Sequence, residues 1–264
     1  MKLQVLVSTM NQKDYSLLDK MNIQSDVIVV NQCDKNSVDE FVYNSHSVKW
    51  ISMSEKGVGL SRNTSLMNAT ADIVLFADDD ICYYDGYTEA VISAFENNEK
   101  ADIICFNISL LNSAKNIGGH KNNTKNKRLH FFNSMKYGAP TIAARRKMLF
   151  KESVFFSLLF GGGAEFASGE DSIFIKKCLD AKLKLFSSVY CLGTIDDSES
   201  SWYRGIDDKF FEDRGMLYKL TFSKIYWLLF IYYAYKLSKI NKQYSFMQIL
   251  NLFRKGKIKY KRYR

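Results

Sequence analysis

The sequence predicts an α/β fold, a mostly parallel sheet with flanking helices, followed by a helical C-terminal segment. Three observations carry the prediction. The first 110 residues alternate short apolar, β-branched runs with amphipathic stretches, the rhythm of strand–helix–strand units. The runs lack the in–out alternation of a one-sided sheet, which fits strands buried on both faces. Hydrophobic residues make up 47% and aromatics 14% of the 264 residues, enough to build a substantial core and to exclude global disorder.

The expected strands are "LQVLVST" (Leu3 to Thr9), "DVIVV" (Asp26 to Val30), "VKWIS" (Val48 to Ser52) and "DIVLFA" (Asp72 to Ala77). Between them, helices are expected near Asp14 to Met21, Ser37 to Asn44 and Leu60 to Asn68. "AVISAFENNE" continues as a helix and "ADIICFNISLL" as a fifth strand. Asn112 to Arg128 is polar and basic and reads as a mobile surface loop. "GAPTIAARRKML" reads as a strand entering a helix; "FGGGAEFASG" reads as a glycine-rich loop before a helix from about Asp171 to Lys182.

The end of the chain differs. "MLYKLTFSKIYWLLFIYYAYKLSKI" is helical and aromatic, and its uncharged stretch Ile225 to Tyr235 has 11 residues. A bilayer span needs about 20. Its Tyr, Trp and Lys residues suit the lipid headgroup zone, while a helix packed on the domain is the plainer alternative. All 28 acidic residues lie before Lys236, against 27 of the 37 basic ones; Lys236 to Arg264 carries ten Lys or Arg and no acid. A near-neutral body with a basic tail points to a polyanionic surface, nucleic acid or anionic lipid. The expected division is therefore a domain over residues 1–215 and a membrane-associating extension over 216–264. Cys33, Cys82, Cys105, Cys178 and Cys191 are odd in number and form no CxxC pair, which suggests buried free thiols in a reducing compartment. "MKLQVLVSTMNQ" turns polar too soon for a secretory signal, so a cytosolic protein is expected.

Four stretches carry chemistry. "DIVLFA" delivers Asp78, Asp79 and Asp80 to the carboxyl edge of the sheet, where α/β folds bind ligands. Three adjacent carboxylates repel one another unless a positive charge sits among them. Asp78 and Asp80 together suit Mg²⁺ or Mn²⁺, hard cations that take oxygen ligands and bridge to phosphates; the alternative is a surface turn. In "ASGEDSIF", Ser168 is placed to cap the next helix, and Asp171, kept ionised by the helix N-terminus, suits a general base. "EKGVGLSRNTSL" sets Arg62 in the first turns of a helix, where phosphate or nucleotide oxygens are favoured. "SSWYRG" offers Trp202 and Arg204 to cover a sugar or phosphate, or else a hydrophobic staple before a helix near Asp207. His46, His120 and His130 show no metal-ligand spacing.

Taken together, "VLVSTMN", "KGVGLSRNTSLMNATADIVLFADDD" and "SGEDSIF" resemble, in order and spacing, a family 2 glycosyltransferase of the Rossmann-like GT-A fold, over roughly residues 1–215. The likeness is to bacterial enzymes that build capsular or other surface polysaccharides. It implies that Thr9 and Arg62 contact the nucleotide, that Asp78 and Asp80 are the DxD pair with Asp80 on the metal, and that Asp171 is the base with Glu170 beside it. Asp34 and Asp79 complete the implied donor-binding set, and Gly162, Gly163, Trp202 and Arg204 an acceptor or diphosphate loop. The acidic pair that usually follows the family's second strand is replaced by Asn31 and Gln32. A Gln-x-x-Arg-Trp motif of processive enzymes is absent, which implies single-sugar transfer.

The resemblance thus implies a Mn²⁺- or Mg²⁺-dependent inverting enzyme. It would move one sugar from a UDP-sugar to a lipid-diphosphate-linked saccharide, peripheral on the inner face of the membrane. The rival readings are a non-catalytic partner of another glycosyltransferase and a sugar nucleotidyltransferase, although "STMNQKDY" lacks a glycine-rich triphosphate loop. A nucleic-acid binder is disfavoured by the acidic cluster.

Overall fold

The structure, a computed structural model, describes residues 1–111, 122–196, 206–222, 224–241 and 243–259. The chain begins with β1 (Leu3–Met10), a short helix α1 (Leu17–Lys20), β2 (Asp26–Gln32), β3 (Ser37–Tyr43) and β4 (His46–Met53). Then follow α2 (Val58–Asn68), β5 (Ile73–Asp78), β6 (Ile81–Tyr83), α3 (Tyr87–Glu96) and β7 (Ile103–Leu110). After β8 (Lys127–Arg128) and α4 (Phe131–Ser134) come β9 (Ile142–Arg145), α5 (Arg146–Lys151), α6 (Glu170–Asp180) and β10 (Leu185–Ile195). Three helices close the chain: α7 (Asp208–Thr221), α8 (Tyr226–Ile240) and α9 (Phe246–Lys259).

Among the described residues the strands form one sheet in the order β3-β4-β2-β1-β5-β9-β7-β10-β6, with β8 on β10. The block β4-β2-β1-β5 is parallel, as the apolar runs predict. The sheet as a whole is mixed, which corrects the expectation of a mostly parallel one. β9 lies antiparallel between β5 and β7, and β3 and β6 are antiparallel to their neighbours. Strand period splits the core between the two faces. Leu3, Val5 and Val7 of β1 join Leu17, Leu18, Val91 and Phe95 under α1 and α3. Leu6 faces the other way, with Leu66, Phe174, Ile175 and Cys178 of α2 and α6.

Several expectations change. Ser37 to Asn44 is not a helix: Ser37–Tyr43 is an edge strand that turns back through Asn44 and Ser45, both with positive φ (47° and 68°), the conformation that suits a two-residue hairpin. The aromatic C-terminal stretch is two helices, α7 and α8, rather than one. Ser168 is not the cap of α6; Gly169 is, at φ 117°, and no side chain caps that helix end. Cys33, Cys105 and Cys178 are buried, but Cys82 is exposed because its short strand turns its side chain outward. Residues 112–121, most of the expected loop, lie outside the described residues; the end of that stretch, Lys127–Arg128, pairs with β10.

The last three helices form a core of their own around Phe211, Phe230, Ile249 and Phe253. The expected boundary at residue 215 falls inside α7. There α7 and α9 cross with their backbones in contact. A Cβ on Gly215 would stand 2.7 Å from the Phe253 Cα, and one on Gly256 2.6 Å from the Glu212 carbonyl carbon. No helix among the described residues is long and apolar enough to cross a membrane. Gly256→Ala should therefore lower stability by about 1–3 kcal/mol through overpacking, read from equilibrium unfolding in urea; an unchanged midpoint would contradict this crossing.

Candidate active site

Parallel strands end together. In register, Ser8 of β1 pairs with Asp78 of β5, and Thr9 pairs with Asn31 of β2. The carboxyl edge of the sheet thus gathers Thr9, Asn31 and Asp78 side by side. Two helix starts face this edge, α2 behind Gly57 (φ 140°) and α6 behind Gly169. The glycine-rich segment joins them. The Gly162 carbonyl accepts from the Val58 amide at 2.8 Å, and a Cβ on Gly163 would press on Gly57. Gly161, at φ 105°, lies where a Cβ would meet the Glu170 carboxyl carbon at 2.9 Å. Glycine is required there by both the backbone angle and the close approach.

Arg62 occupies the middle. It is 2% exposed, on α2, and its guanidinium spans the cleft. One terminal nitrogen donates to Asp78 Oδ1 at 2.8 Å. The other donates to Asp171 Oδ1 at 2.9 Å and to Glu170 Oε1 at 3.2 Å. The Phe156 ring packs 5.2 Å from the guanidinium carbon. Burial opposes the charge on Arg62, but Asp78, Asp171 and Glu170 outweigh it, so the guanidinium stays protonated with its pKa raised. Two candidate sites that the sequence separates by more than ninety residues are thus tied by one side chain.

The three adjacent aspartates are treated differently. Asp78 has Arg62. Asp79 accepts a short hydrogen bond from the Thr9 hydroxyl, and Thr9 in turn accepts from Gln12 Nε2 at 2.9 Å. Asp80 makes no ion pair among the described residues. Desolvation at the strand end, then the charges of Asp78 and Asp79, push its carboxyl up to about 7, and Asp196, just past the end of β10, adds to that. Asp171 is also pushed up to about 7, first by burial and then by Glu170 and Asp78, while Arg62 pulls it down. Glu170 spends both oxygens on structure, Oε1 on Arg62 and Oε2 on the Gly169 amide at 3.0 Å. Asp171 keeps Oδ2 toward Gly138, where a Cβ would stand 3.3 Å away.

Asn31 and Gln32 brace loops. Asn31 exchanges two hydrogen bonds, each 3.0 Å, with the Gln12 backbone, and Gln32 Oε1 accepts from the Gly57 amide at 2.6 Å. Asp34 is exposed beyond the end of β2. Trp202 and Arg204 lie outside the described residues. The roles of Gln12 and Gly138 were not read from the sequence; neither belongs to a recognisable motif, and both act through the fold's long-range contacts.

As for a metal, the carboxylates of Asp78 and Asp80 are oxygen donors of the kind Mg²⁺ and Mn²⁺ take. The uncompensated charge on Asp80 suits a cation, although no group of three His, Cys, Asp or Glu converges on a common point among the described residues. Asp78 and Asp80 are the residues that would hold such an ion.

The family model for glycosyl transferase family 2 matches residues 9–154, more than half of the chain. The chain belongs to glycosyl transferase family 2. The match reaches from Thr9 past Arg62 and the three aspartates and ends before Glu170 and Asp171. Solved structures extend the likeness of this glycosyltransferase domain. TarS from S. aureus, as a 1–349 fragment in complex with UDP-GlcNAc, superposes with a TM-score of 0.63 at 17% identity, covering 83% of this chain and 66% of that one. The mannosyltransferase PcManGT from Pyrobaculum calidifontis, in complex with GDP-Man and Mn²⁺, gives 0.52 at 13% identity, covering 84% and 63%. The chain thus spans just under two thirds of each. At these identities the likeness is one of fold, and it places the glycosyltransferase domain in the GT-A-like α/β class with a mixed sheet. No curated protein sequence matches.

Replacing Arg62 tests the bridge. Arg62→Met leaves three carboxylates facing one another without their shared cation, and stability should fall by about 3–5 kcal/mol near neutral pH. Arg62 pulls the folded-state pKa of Asp171 down, so without it the folded variant takes up protons at higher pH than wild type does, and acid favours the variant more. The variant's deficit should shrink as pH falls from about 7 toward 4. Urea titrations at several pH values check this; a deficit independent of pH would contradict it.

Proposed function

We propose that the protein is a metal-dependent inverting glycosyltransferase that moves a single sugar from a nucleotide sugar, UDP-linked as in the TarS complex, to an acceptor hydroxyl. One observation carries this reading: Arg62 ties Asp78, on the strand that leads into the aspartate cluster, to Asp171 on the helix across the cleft. A donor diphosphate beside Asp78 and Asp80 and an acceptor beside Asp171 then share one space.

Thr9 and Asp79 form a hydrogen-bonded edge for the nucleoside, with Asp34 at its rim. The backbone around Gly162 and Gly163 borders the diphosphate. Arg62 serves the donor from behind, by fixing Asp78 rather than by reaching solvent. Mn²⁺ or Mg²⁺, when bound at Asp78 and Asp80, supplies positive charge to the departing diphosphate.

Asp171 accepts the acceptor's O–H proton through Oδ2, the oxygen not engaged by Arg62. The acceptor oxygen forms its bond to the anomeric carbon as the bond to the nucleoside diphosphate breaks on the opposite face. The diphosphate leaves with the electron pair, and configuration inverts. A pKa lifted toward the working pH suits a general base. Glu170, with both oxygens engaged, holds the geometry.

The acceptor reading is a lipid-diphosphate-linked saccharide of a surface polysaccharide, met on the inner membrane face. What supports it is α8. Trp227, Leu228, Ile231, Tyr232 and Tyr235 are all exposed, at the spacing that shares one helix face. Lys236 and Lys239 follow on the same helix, both exposed, and each cation near an anionic surface is worth about 1 kcal/mol. We take residues 1–215 as the transfer domain and 216–264 as the surface-seeking extension, joined through α7.

Two outcomes are expected. Asp171→Asn should lose about 10²–10⁴-fold in turnover while binding UDP as wild type does in calorimetry; near wild-type turnover would remove Asp171 from the base role. A Trp227→Ser, Ile231→Ser, Tyr232→Ser variant should stop co-sedimenting with phosphatidylglycerol vesicles yet stay folded, and retained sedimentation would refute the lipid-facing role of α8.

A further inference from the structure

The loop that leads into Glu170 and Asp171 does not hold itself. Within it, Phe160 stacks on Phe166 at 4.6 Å, the Gly161 amide donates to the Phe166 carbonyl, and the Phe166 amide donates to the Leu159 carbonyl. Past Phe166 the support comes from α7. Asp213, 3% exposed, accepts the Ala167 amide on Oδ2 at 2.9 Å. Lys209, one turn earlier, donates to the same oxygen at 2.7 Å and to the Glu165 carbonyl at 2.7 Å. One turn later Leu217 covers Gly169, where a Cβ would stand 2.6 Å from its Cδ1. Residues 209, 213 and 217 share one helix face. That face grips both sides of the loop and the residue that starts α6.

Asp213 Oδ1 is buried without a hydrogen-bond partner among the described residues. A buried carboxylate with one oxygen left dry is costly, and such groups in folded proteins call for a reason. The opposite face of α7 presents Phe211 and Tyr218 to α8 and α9. The helix is therefore shared between the base-bearing loop and the C-terminal helices.

We propose that Asp213 is a positioning residue for Asp171: with Lys209 it clamps Glu165 to Ala167 and so sets where α6 begins. The C-terminal helices are then part of the catalytic support and not a detachable anchor. The inference rests on Asp171 as the base, and it concerns a residue that touches neither donor nor acceptor.

The test uses the full chain. In Asp213→Ala, amide hydrogen exchange across residues 165–171 should accelerate at least about tenfold while β1, β2 and β5 keep their protection. With a UDP-sugar and Mn²⁺, kcat should fall about 10- to 100-fold, the cost of a misplaced catalytic group, with UDP affinity unchanged. If that variant does not fold, Asp213→Asn and Lys209→Met carry the same two measurements, with smaller effects of the same kind. Unchanged exchange in 165–171 overturns the clamp. Faster exchange with unaltered kcat overturns the link to Asp171, and kcat and UDP affinity falling together would show a merely structural role. If the wild-type protein transfers no sugar at all, the functional reading fails, and the exchange measurement still decides the clamp.

Discussion

The structure depends on a single buried guanidinium. Arg62 sits where a β-strand, a glycine-capped helix and a second helix start converge, and three carboxylates point at it. An ammonium could not replace it, because only a planar fork reaches two directions at once with fixed donors. The arrangement balances desolvation against Coulomb attraction: a cation this deep is tolerated because three anions surround it, and they are tolerated close together because of the cation. Two carboxylates still gain proton affinity: Asp80, which has no such partner, and Asp171, whose burial outweighs the pull of Arg62. The site is thus divided into an inner part bridged by Arg62, which fixes geometry, and an outer carboxylate, Asp80, with no ion pair among the described residues.

Much of this was legible in the sequence, and the limits are physical. β1, β2, β5 and most of β7 are apolar runs buried on both faces, β4 is a partly polar run beside them, and α2, α3 and α6 follow from period and glycine starts. β3 was missed because an edge strand need not be apolar. Val38 and Val42 face solvent, and the hairpin turn is Asn-Ser where Asn-Gly is the strong signal. β10 was missed because "LFSSVYCLGTI" mixes serines with apolar residues and carries register shifts against β7. β9 was read as a strand, but its direction is set by which neighbours it lies between, and no local pattern encodes that.

The candidate site shows the same boundary. Residue types and order made Asp78 to Asp80, Arg62 and Asp171 candidates, and the resemblance added Glu170. They did not reveal that Arg62 joins the rest, since a helix position fixes a side chain's starting point and not its partner. Nor did they reveal Asn31 and Gln32 as braces, their amides spent on holding Gln12 and Gly57 in place. Asp213 was invisible for the same reason. An aspartate one turn after a lysine reads as an ordinary surface pair, and only the fold shows it turned inward.

The touching backbones at Gly215 and Gly256 have a consequence for how the molecule can bend. With no side chains between them at that point, a shift of α7 against α9 cannot be taken up by a change of rotamer and has to move backbone.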